Sequence, residues 1–228
     1  INTNANEKKC WIRDGKNNYQ DTNKISIDNS ADPLVEDAVD FIADLRQVKD
    51  FSSLPIGRNV VVIGGGMTAI DAAVQSQLLG AEKVTIIYRR NLDNMSASKK
   101  EQNNATSKGV KIITNAVPTS IYKQNGIHQL NLSYTEVDKH TGKLKELEQT
   151  FSIEADQIFC AIGQKFNNLL DVFKSHKGKI MIDENCKTSV ENVWAGGDCV
   201  DKGEDLTVSA VAQGRNAAQA IHQSIFLK

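Results

Sequence analysis

Three consecutive glycines, with an alanine three residues after the last, are the residues of this sequence whose spacing points most directly to a chemical role. The segment matches the pattern G-x-G-x-x-A and reads Gly64, Gly65, Gly66, Met67, Thr68 and Ala69. In this pattern Gly64 permits a tight turn, Gly66 lets the backbone approach a pyrophosphate, and Ala69 lets a helix pack closely on a strand. The amides of Gly66, Met67 and Thr68 would then point at the pyrophosphate. These residues predict a dinucleotide-binding site, and the alternative is a tight turn with a structural role only.

Two arginines follow the next apolar run, at the position that distinguishes between nicotinamide cofactors. Residues 83–88 read KVTIIY, and Arg89 and Arg90 come directly after them. An acidic residue here would accept hydrogen bonds from the ribose hydroxyls of NADH, whereas guanidinium groups can bind the 2′-phosphate of NADPH in a fork geometry. The pair favours NADPH without excluding NADH. The alternative is two solvated arginines on the surface.

The segments on either side of the glycines have the pattern of a βαβ unit. Residues 59–63 (NVVVI) and 83–88 are short apolar runs rich in β-branched residues, which is typical of strands buried on both faces of a parallel sheet. Residues 67–79 have an apolar helical face and end at Gly80, a common residue after a helix. The sequence therefore predicts an α/β fold with a Rossmann-like dinucleotide-binding unit.

The rest of the chain is assigned from periodicity and turn residues. Residues 1–31 are polar and predicted to be irregular, and a helix is predicted to begin at Asp32-Pro33. Strands are predicted at 110–114, 157–162, 179–182 and 193–195, an antiparallel meander at 120–123, 127–134 and 148–153, and a last helix at 206–226.

The composition excludes several classes of function. The 228 residues are 40% hydrophobic with a net charge of −1, so the charge favours neither nucleic acid nor an anionic membrane as a partner, and no apolar run is long enough to span a bilayer. None of the four cysteines lies in a C-x-x-C pair and the four histidines have no ligand spacing, so neither a metal site nor a redox dithiol is expected. Free thiols of this kind are typical of a cytoplasmic protein.

Several motifs together resemble one family of flavin oxidoreductases. VVVIGGGMTAIDAA, YRR, Asn94-Met95 with Ser98, and residues 105–110 resemble the nicotinamide domain of enzymes related to the glutamate synthase small subunit and to the flavin region of dihydropyrimidine dehydrogenase. The stretch Cys160-Ala161-Ile162-Gly163-Gln164 is most similar to the flavin subunit of bacterial dihydropyrimidine dehydrogenase. The resemblance covers about residues 33–228. It implies that Ala161, Ile162 and Gly163 lie near the nicotinamide.

The C-terminal part resembles a second element of the same flavoproteins. Residues 194–198 (WAGGD) are similar to the A-G-G-D element, although composition by itself would indicate only a turn. The resemblance implies that Gly196, Gly197 and Asp198 hold FAD, with Asp198 at the ribityl and phosphate region. It also implies that a helix beginning near Thr207 and Val208 directs its N-terminus at the flavin, where its dipole would stabilise negative charge on the reduced ring.

The residue patterns and the resemblance together predict a domain organisation: from the patterns, an irregular segment at 1–31 and a linker helix at 32–56, and from the resemblance, an NAD(P)-binding domain at 57–163 and the C-terminal part of an FAD domain at 164–228. Members of this family begin with an FAD-binding glycine-rich turn of their own. Only 63 residues precede Gly64, and none forms such a turn. We therefore expect this chain to lack the adenine half of the FAD site, either as a fragment or truncated product or because another chain supplies that half.

The implied function is electron entry. A hydride would pass from NADPH or NADH to FAD, and electrons would continue to a catalytic subunit containing iron–sulfur centres or FMN, for chemistry of the dihydropyrimidine dehydrogenase type. No residue of this chain is expected to act as a catalytic acid, base or nucleophile, because the hydride chemistry belongs to the cofactors. Two alternatives remain: a subunit like the glutamate synthase small subunit, against which Met67 argues, and a nicotinamide-binding fragment without redox activity.

Overall fold

The structure is a computed structural model, and it describes residues 20–22, 34–138, 140–166, 172–204 and 206–226, with side chains for all of these except 20–22 and 164–166. The described residues fall into two compact units: residues 22 and 34–163 belong to the first, and residues 20, 21 and those from 164 onward belong to the second. We call the described residues 34–163 the sheet unit and the described residues from 164 onward the C-terminal unit.

The elements follow in this chain order. The strands are β1 (Gln20–Thr22), β2 (Val35–Asp37), β3 (Asn59–Ile63), β4 (Lys83–Tyr88), β5 (Lys111–Thr114), β6 (Ala116–Gln124), β7 (Ile127–Val137), β8 (Leu144–Glu154), β9 (Gln157–Cys160), β10 (Gln164–Phe166), β11 (Ser175–His176) and β12 (Lys179–Ile180). The α-helices are α1 (Ala38–Gln47), α2 (Met67–Leu78), α3 (Lys99–Ser107) and α4 (Thr207–Phe226), with short 3-10 helices at Phe51–Ser53 and Leu92–Asn94.

A five-stranded sheet forms the centre of the sheet unit, with the strand order β2-β9-β3-β4-β5. Every neighbouring pair in it is parallel. The predicted α/β class with a parallel sheet and a β3–α2–β4 unit is therefore confirmed. The continuous apolar runs have a simple reason: alternate residues of β3 pack on opposite faces, Val60 and Val62 into one hydrophobic cluster and Val61 and Ile63 into another.

Helices cover one face of the sheet. On α1, Phe41 stacks on Phe159 of β9, with ring centroids 4.3 Å apart. On α2, the residues that face β3 and β4 are small: Ala69, Ala72 and Ala73 are fully buried. Small side chains allow the helix backbone to lie close to the strands, and close packing of this kind fixes where the helix begins relative to the sheet.

The antiparallel meander that the sequence predicts is present as β6-β7-β8, and it covers the opposite face. Ile121, Leu130 and Leu132 are buried against the sheet there. The turn between β6 and β7 lies at Asn125-Gly126, and both residues have positive φ, which explains the choice of asparagine and glycine. The sheet is thus enclosed on both faces, and its strand ends are where ligand-binding residues can be exposed.

Several elements differ from the sequence prediction. The first helix begins at Ala38, where the Asp37 carboxylate accepts a hydrogen bond from the Val39 amide at 2.8 Å, because β2 occupies Val35–Asp37, which the sequence prediction assigns to the helix. Asp32 and Pro33 lie outside the described residues. Residues 20–22, predicted to be irregular, form β1, which pairs with β10. The strand predicted at 193–195 is reduced to one bridge between Trp194 and Lys187. Helix α3 was not predicted at all.

The C-terminal unit has a small core and one long helix. The strands β11 and β12 form an antiparallel hairpin, and a compact hydrophobic cluster contains Ile180, Ile182, Cys186 and Val200. Among its described residues, helix α4 has no buried side chain, and Val208 and Val211 are about 70% exposed. None of the helices in the described part of the chain is long and apolar enough to cross a membrane.

Candidate functional site

The parallel register of the central strands brings separate segments to one edge of the sheet. Ile63 of β3 pairs with Ile87 of β4 on one side and with Cys160 of β9 on the other. Because parallel strands end at the same edge, the residues that follow lie together there. Gly64, Tyr88 and Ala161 are those residues, and two of the three were predicted site residues.

Gly64 lies directly against Ala161. A Cβ atom at position 64 would lie 2.2 Å from the Ala161 carbonyl oxygen, and its φ of +148° also favours glycine. The contact is fixed by two backbone hydrogen bonds: the Gly64 amide donates to the Ile87 carbonyl at 3.0 Å, and the Ala161 amide donates to the Ile63 carbonyl at 2.8 Å. The structure thus brings Gly64 next to Ala161. Gly163, with φ +97°, ends the same segment, and Ile162 is half-buried against the meander-side cluster.

Gly65 packs against an aromatic ring that the sequence did not identify as part of the site. A Cβ atom at position 65 would lie 2.4 Å from both Cδ2 and Cε2 of Tyr88. The ring is held from its other end, because the Tyr88 hydroxyl donates to the Asn94 carbonyl at 2.6 Å. The Gly65 carbonyl in turn accepts from the Ala97 amide at 3.1 Å. Residues 91–98, which we call the Ser96 loop, are therefore bonded to the glycine turn.

Gly66 is the N-cap residue of α2 and leaves that end of the helix open. Its backbone is extended and no side chain caps the helix. No described residue accepts a hydrogen bond from the amides of Gly66, Met67 or Thr68. A Cβ atom at position 66 would meet a single neighbouring atom outside the turn within 4 Å, the Ser96 Oγ at 3.3 Å. Unpaired amides and open space at a helix N-terminus fit the phosphates of a dinucleotide.

Arg89 and Arg90 extend from the end of β4 at the same edge. Arg89 is exposed and Arg90 half-buried, and within the described residues neither guanidinium has an ion-pair or hydrogen-bond partner. Their backbone is nevertheless fixed: the Thr135 hydroxyl donates to the Arg89 carbonyl at 2.8 Å, and the Asn115 amide donates to the Arg90 carbonyl at 3.1 Å. Two positive charges are thus available on a rigid strand end.

The second group of predicted residues lies in the C-terminal unit, where Gln213 of α4 organises the turn. Its Oε1 accepts from the Gly197 amide at 2.6 Å, and its Nε2 donates to the Lys202 carbonyl at 2.7 Å. A Cβ atom at Gly196 would lie 2.9 Å from the Gln213 Cβ, so the turn needs a glycine there. Gly197 has φ +84°. Gln213 lies in the predicted helix, but its polar type gave no signal for this contact.

Asp198 and the first residues of α4 are exposed. The Asp198 side chain forms no hydrogen bond or ion pair with any residue that the structure describes, so its carboxylate can accept from a ligand. Thr207 and Val208 are the first two residues of α4, and both are exposed. A free carboxylate next to a fixed glycine turn suits the hydroxyl groups of a ribityl chain. These residues therefore fit part of an FAD site.

Comparison with known proteins identifies the family. The model of the pyridine nucleotide-disulphide oxidoreductase family matches residues 22–214 of this chain. The chain belongs to this family. Its members use pyridine nucleotides and FAD, and the observed α/β fold agrees with that of the family.

Two curated relatives show the level of similarity. The chain is 34% identical over 190 residues to the NAD-dependent dihydropyrimidine dehydrogenase subunit PreT of Escherichia coli (strain K12), covering 82% of this chain and 42% of that one. It is 34% identical over 181 residues to the glutamate synthase (NADPH) small chain of the same organism, covering 72% of this chain and 38% of that one. The chain therefore spans about two fifths of the length of these relatives.

A solved structure shows the same fold. The thioredoxin reductase of T. acidophilum superposes with a TM-score of 0.67 at 21% identity, covering 90% of this chain and 63% of that chain. The thioredoxin reductase of Lactococcus lactis gives a TM-score of 0.64. At this identity the likeness concerns the fold.

The cysteines of this family member are not arranged for disulphide exchange in the part of the chain that is described. Cys160, Cys186 and Cys199 are all free thiols there, and Cys10 lies outside it. Burial, with a smaller contribution from the Asp37 carboxylate, raises the pKa of Cys160 to about 11. Burial also raises the pKa of Cys186 and of Cys199. Thiols that stay protonated are poor nucleophiles, so burial lowers the reactivity of these three.

The contact between Gly65 and Tyr88 gives a direct test of the turn. We expect Gly65→Ala to destabilise the chain by about 1–3 kcal/mol, because the added methyl group overlaps the tyrosine ring. The double variant Gly65→Ala with Tyr88→Ala should cost less than the sum of its two single variants, since the ring that causes the overlap is gone. Urea unfolding measures all three.

Gly214→Ala is the matched control for that test. Gly214 lies inside α4, and a Cβ atom there meets nothing within 4 Å, so alanine should be neutral or slightly stabilising. Additive costs for Gly65→Ala and Tyr88→Ala would show that the ring does not enclose the turn.

Proposed function

We propose that this chain binds NADPH or NADH on the glycine turn Gly64–Ala69 and forms the pyridine-nucleotide part of an FAD-dependent oxidoreductase. The observation that supports it best is the open N-terminus of α2: three amides without acceptors and no Cβ atom at Gly66. In water such amides would simply be solvated. Aligned at a helix end, they favour an anion, and the dipole of the helix adds to the attraction.

The charge distribution around the turn supports a phosphate ligand. The chain as a whole has a net charge of −1, so no general attraction for anions exists. The two arginines after β4 supply a local positive field instead, and each can bind phosphate oxygens through two parallel N–H donors. We therefore assign Arg89 and Arg90 to the adenosine 2′-phosphate and favour NADPH. The relatives' names include both an NAD-dependent and an NADPH enzyme, and NADH remains the second candidate.

The oxidoreductase activity is a two-electron transfer in which a hydride passes from the reduced nicotinamide to FAD. The residues of this chain would bind and orient the cofactors. Ala161 lies directly against Gly64, and we assign Ala161, Ile162 and Gly163 to the nicotinamide side of the site. In the C-terminal unit, Asp198 would accept hydrogen bonds from the ribityl chain while Gln213 keeps the Gly196-Gly197 turn in place.

The domain roles and the partner follow from this assignment. We propose that residues 57–163 form the NAD(P)-binding domain and residues 164–228 the C-terminal part of an FAD-binding domain. Electrons would leave FAD for a catalytic subunit that contains iron–sulfur centres or FMN. The resemblance to PreT, which by name is a dihydropyrimidine dehydrogenase subunit, favours a pyrimidine-reducing partner, and the resemblance to the glutamate synthase small chain favours glutamate synthesis as the alternative.

Gly66→Val tests whether the turn binds a pyrophosphate. The added Cβ atom would approach the Ser96 Oγ of an exposed side chain and no backbone atom of another segment, so the fold should survive while the phosphates are excluded. Losing two hydrogen bonds to a charged group should weaken NADPH binding by about 100-fold or more. Calorimetric titration measures the affinity, and Gly214→Val, at an open helical position, is the control. A folded Gly66→Val chain with unchanged affinity would show that the turn has a structural role only.

The double variant Arg89→Ala with Arg90→Ala tests the cofactor preference. Each lost charge-assisted hydrogen bond to the 2′-phosphate should cost about 1.5–3 kcal/mol for NADPH, and NADH, which lacks that phosphate, should bind almost as before. Arg58→Ala is the control, because Arg58 is exposed, pairs with Glu82 and precedes β3 at the opposite edge of the sheet. Equal losses of affinity for NADPH and NADH would contradict the assignment of these arginines to the 2′-phosphate.

Asp198→Ala tests the flavin assignment. If the carboxylate accepts hydrogen bonds from the ribityl hydroxyls, the dissociation constant for FAD, measured by quenching of flavin fluorescence, should rise by about tenfold, while the affinity for NADPH stays the same. Glu191→Ala removes the same charge from an exposed position in the same unit and should leave both affinities unchanged. Equal affinity for FAD in the two variants would contradict the role of Asp198.

A further inference from the structure

The space that Gly66 leaves open contains one side-chain atom from another segment. That atom is the Ser96 Oγ, 3.3 Å from where a Cβ of residue 66 would be. The same hydroxyl lies 3.4 Å from the Gly65 carbonyl oxygen, at the long end of hydrogen-bond distances. Ser96 is therefore next to two successive peptide groups of the glycine turn, although 30 positions separate it from Gly66 in the chain.

The position of Ser96 is fixed by its neighbours on both sides. Met95 and Ala97 are buried, whereas Ser96 between them is exposed. The Ala97 amide donates to the Gly65 carbonyl at 3.1 Å, and the Ala97 carbonyl accepts from the Gln102 side-chain amide at 2.8 Å. Gln102 is itself buried on α3. The loop is thus clamped between the turn and a helix, with the serine hydroxyl on its open side.

We infer that Ser96 is a further ligand of the dinucleotide, donating a hydrogen bond from its hydroxyl to the pyrophosphate held at Gly66. This inference rests on the proposed binding of NADPH or NADH to the glycine turn. The hydroxyl has a weak acceptor in the Gly65 carbonyl, and a phosphate oxygen with negative charge is a stronger one, so rotation of the O–H about the Cβ–Oγ bond exchanges the first bond for the second. Neither the glycine pattern nor the arginine pair identifies this residue.

The chemistry of the contact separates it from the role of the arginines. The pyrophosphate is common to NADPH and NADH, whereas the 2′-phosphate belongs to NADPH only. Loss of the Ser96 hydroxyl should therefore weaken the binding of NADPH and of NADH by the same factor. A hydrogen bond to an anion lost at an open site corresponds to about a tenfold change in the dissociation constant.

The test compares Ser96→Ala, Ser96→Thr and Ser96→Asp with the unchanged 228-residue chain, by calorimetric titration with NADPH and with NADH. We expect about tenfold weaker binding of both nucleotides to Ser96→Ala, near-normal binding to Ser96→Thr, which keeps the hydroxyl, and the weakest binding to Ser96→Asp, whose charge repels phosphate. Ser107→Ala is the control, because Ser107 is exposed near the end of α3 and bonds only to its own helix. Its affinities should equal those of the unchanged chain.

A phosphorus NMR spectrum of bound NADPH separates direct contact from loosening of the turn. Ser96→Ala should shift the two pyrophosphate resonances and leave the 2′-phosphate resonance in place. Unchanged affinity and spectra in Ser96→Ala, with normal binding by the unchanged chain, would overturn this inference and leave the proposed function intact. Failure of the unchanged chain to bind either nucleotide would overturn both.

Discussion

The site depends on one steric constraint: the glycine turn lies between two groups that leave no room for a side chain. The Ala161 carbonyl oxygen closes one side at Gly64, and the Tyr88 ring closes the other at Gly65. At Gly66, where α2 begins, a Cβ atom would approach only the Ser96 Oγ, at 3.3 Å, and no backbone of another segment. The enclosed pair fixes the path of the backbone, so the amides of the next residues have a defined direction. The packing thus prepares the turn for a ligand before one binds.

The same constraint connects the turn to the rest of the sheet unit. Tyr88 and Ala161 come from the strands on either side of β3, and their positions depend on the parallel register of β4 and β9. That register is in turn fixed by burial on both faces, since a shift by one residue would exchange the sets of side chains that face the helices and the meander. The relative positions of Gly64, Tyr88 and Ala161 therefore depend on core packing several residues away.

The sequence predicted elements that depend on residues close together in the chain, but not the contacts between residues that are far apart in it. The β3–α2–β4 unit follows from patterns within 30 residues, and the meander follows from its turn residues. Helix α3 is polar, with only Gln102 and Ala105 buried, so its hydrophobic pattern was weak, although the capping box formed by Ser98 and Glu101 was a usable signal. Contacts such as the one between Gly65 and Tyr88 have no signature in the sequence, because they depend on how elements pack.

The strand order also has a consequence for how the chain is made. Strand β9 lies between β2 and β3 but is synthesised long after both, and the Asp156 carboxylate that binds the Asn59 side chain lies 97 residues further along the chain. The side-chain amide of Gln157 in β9 also donates to the carboxylate of Glu36 in β2, and these two residues are 121 positions apart in the chain. Until β9 leaves the ribosome, one edge of β3 has no partner and the most apolar strands of the chain are open to aggregation. Pairing across so many residues is slow, so the sheet unit acquires its central strand late.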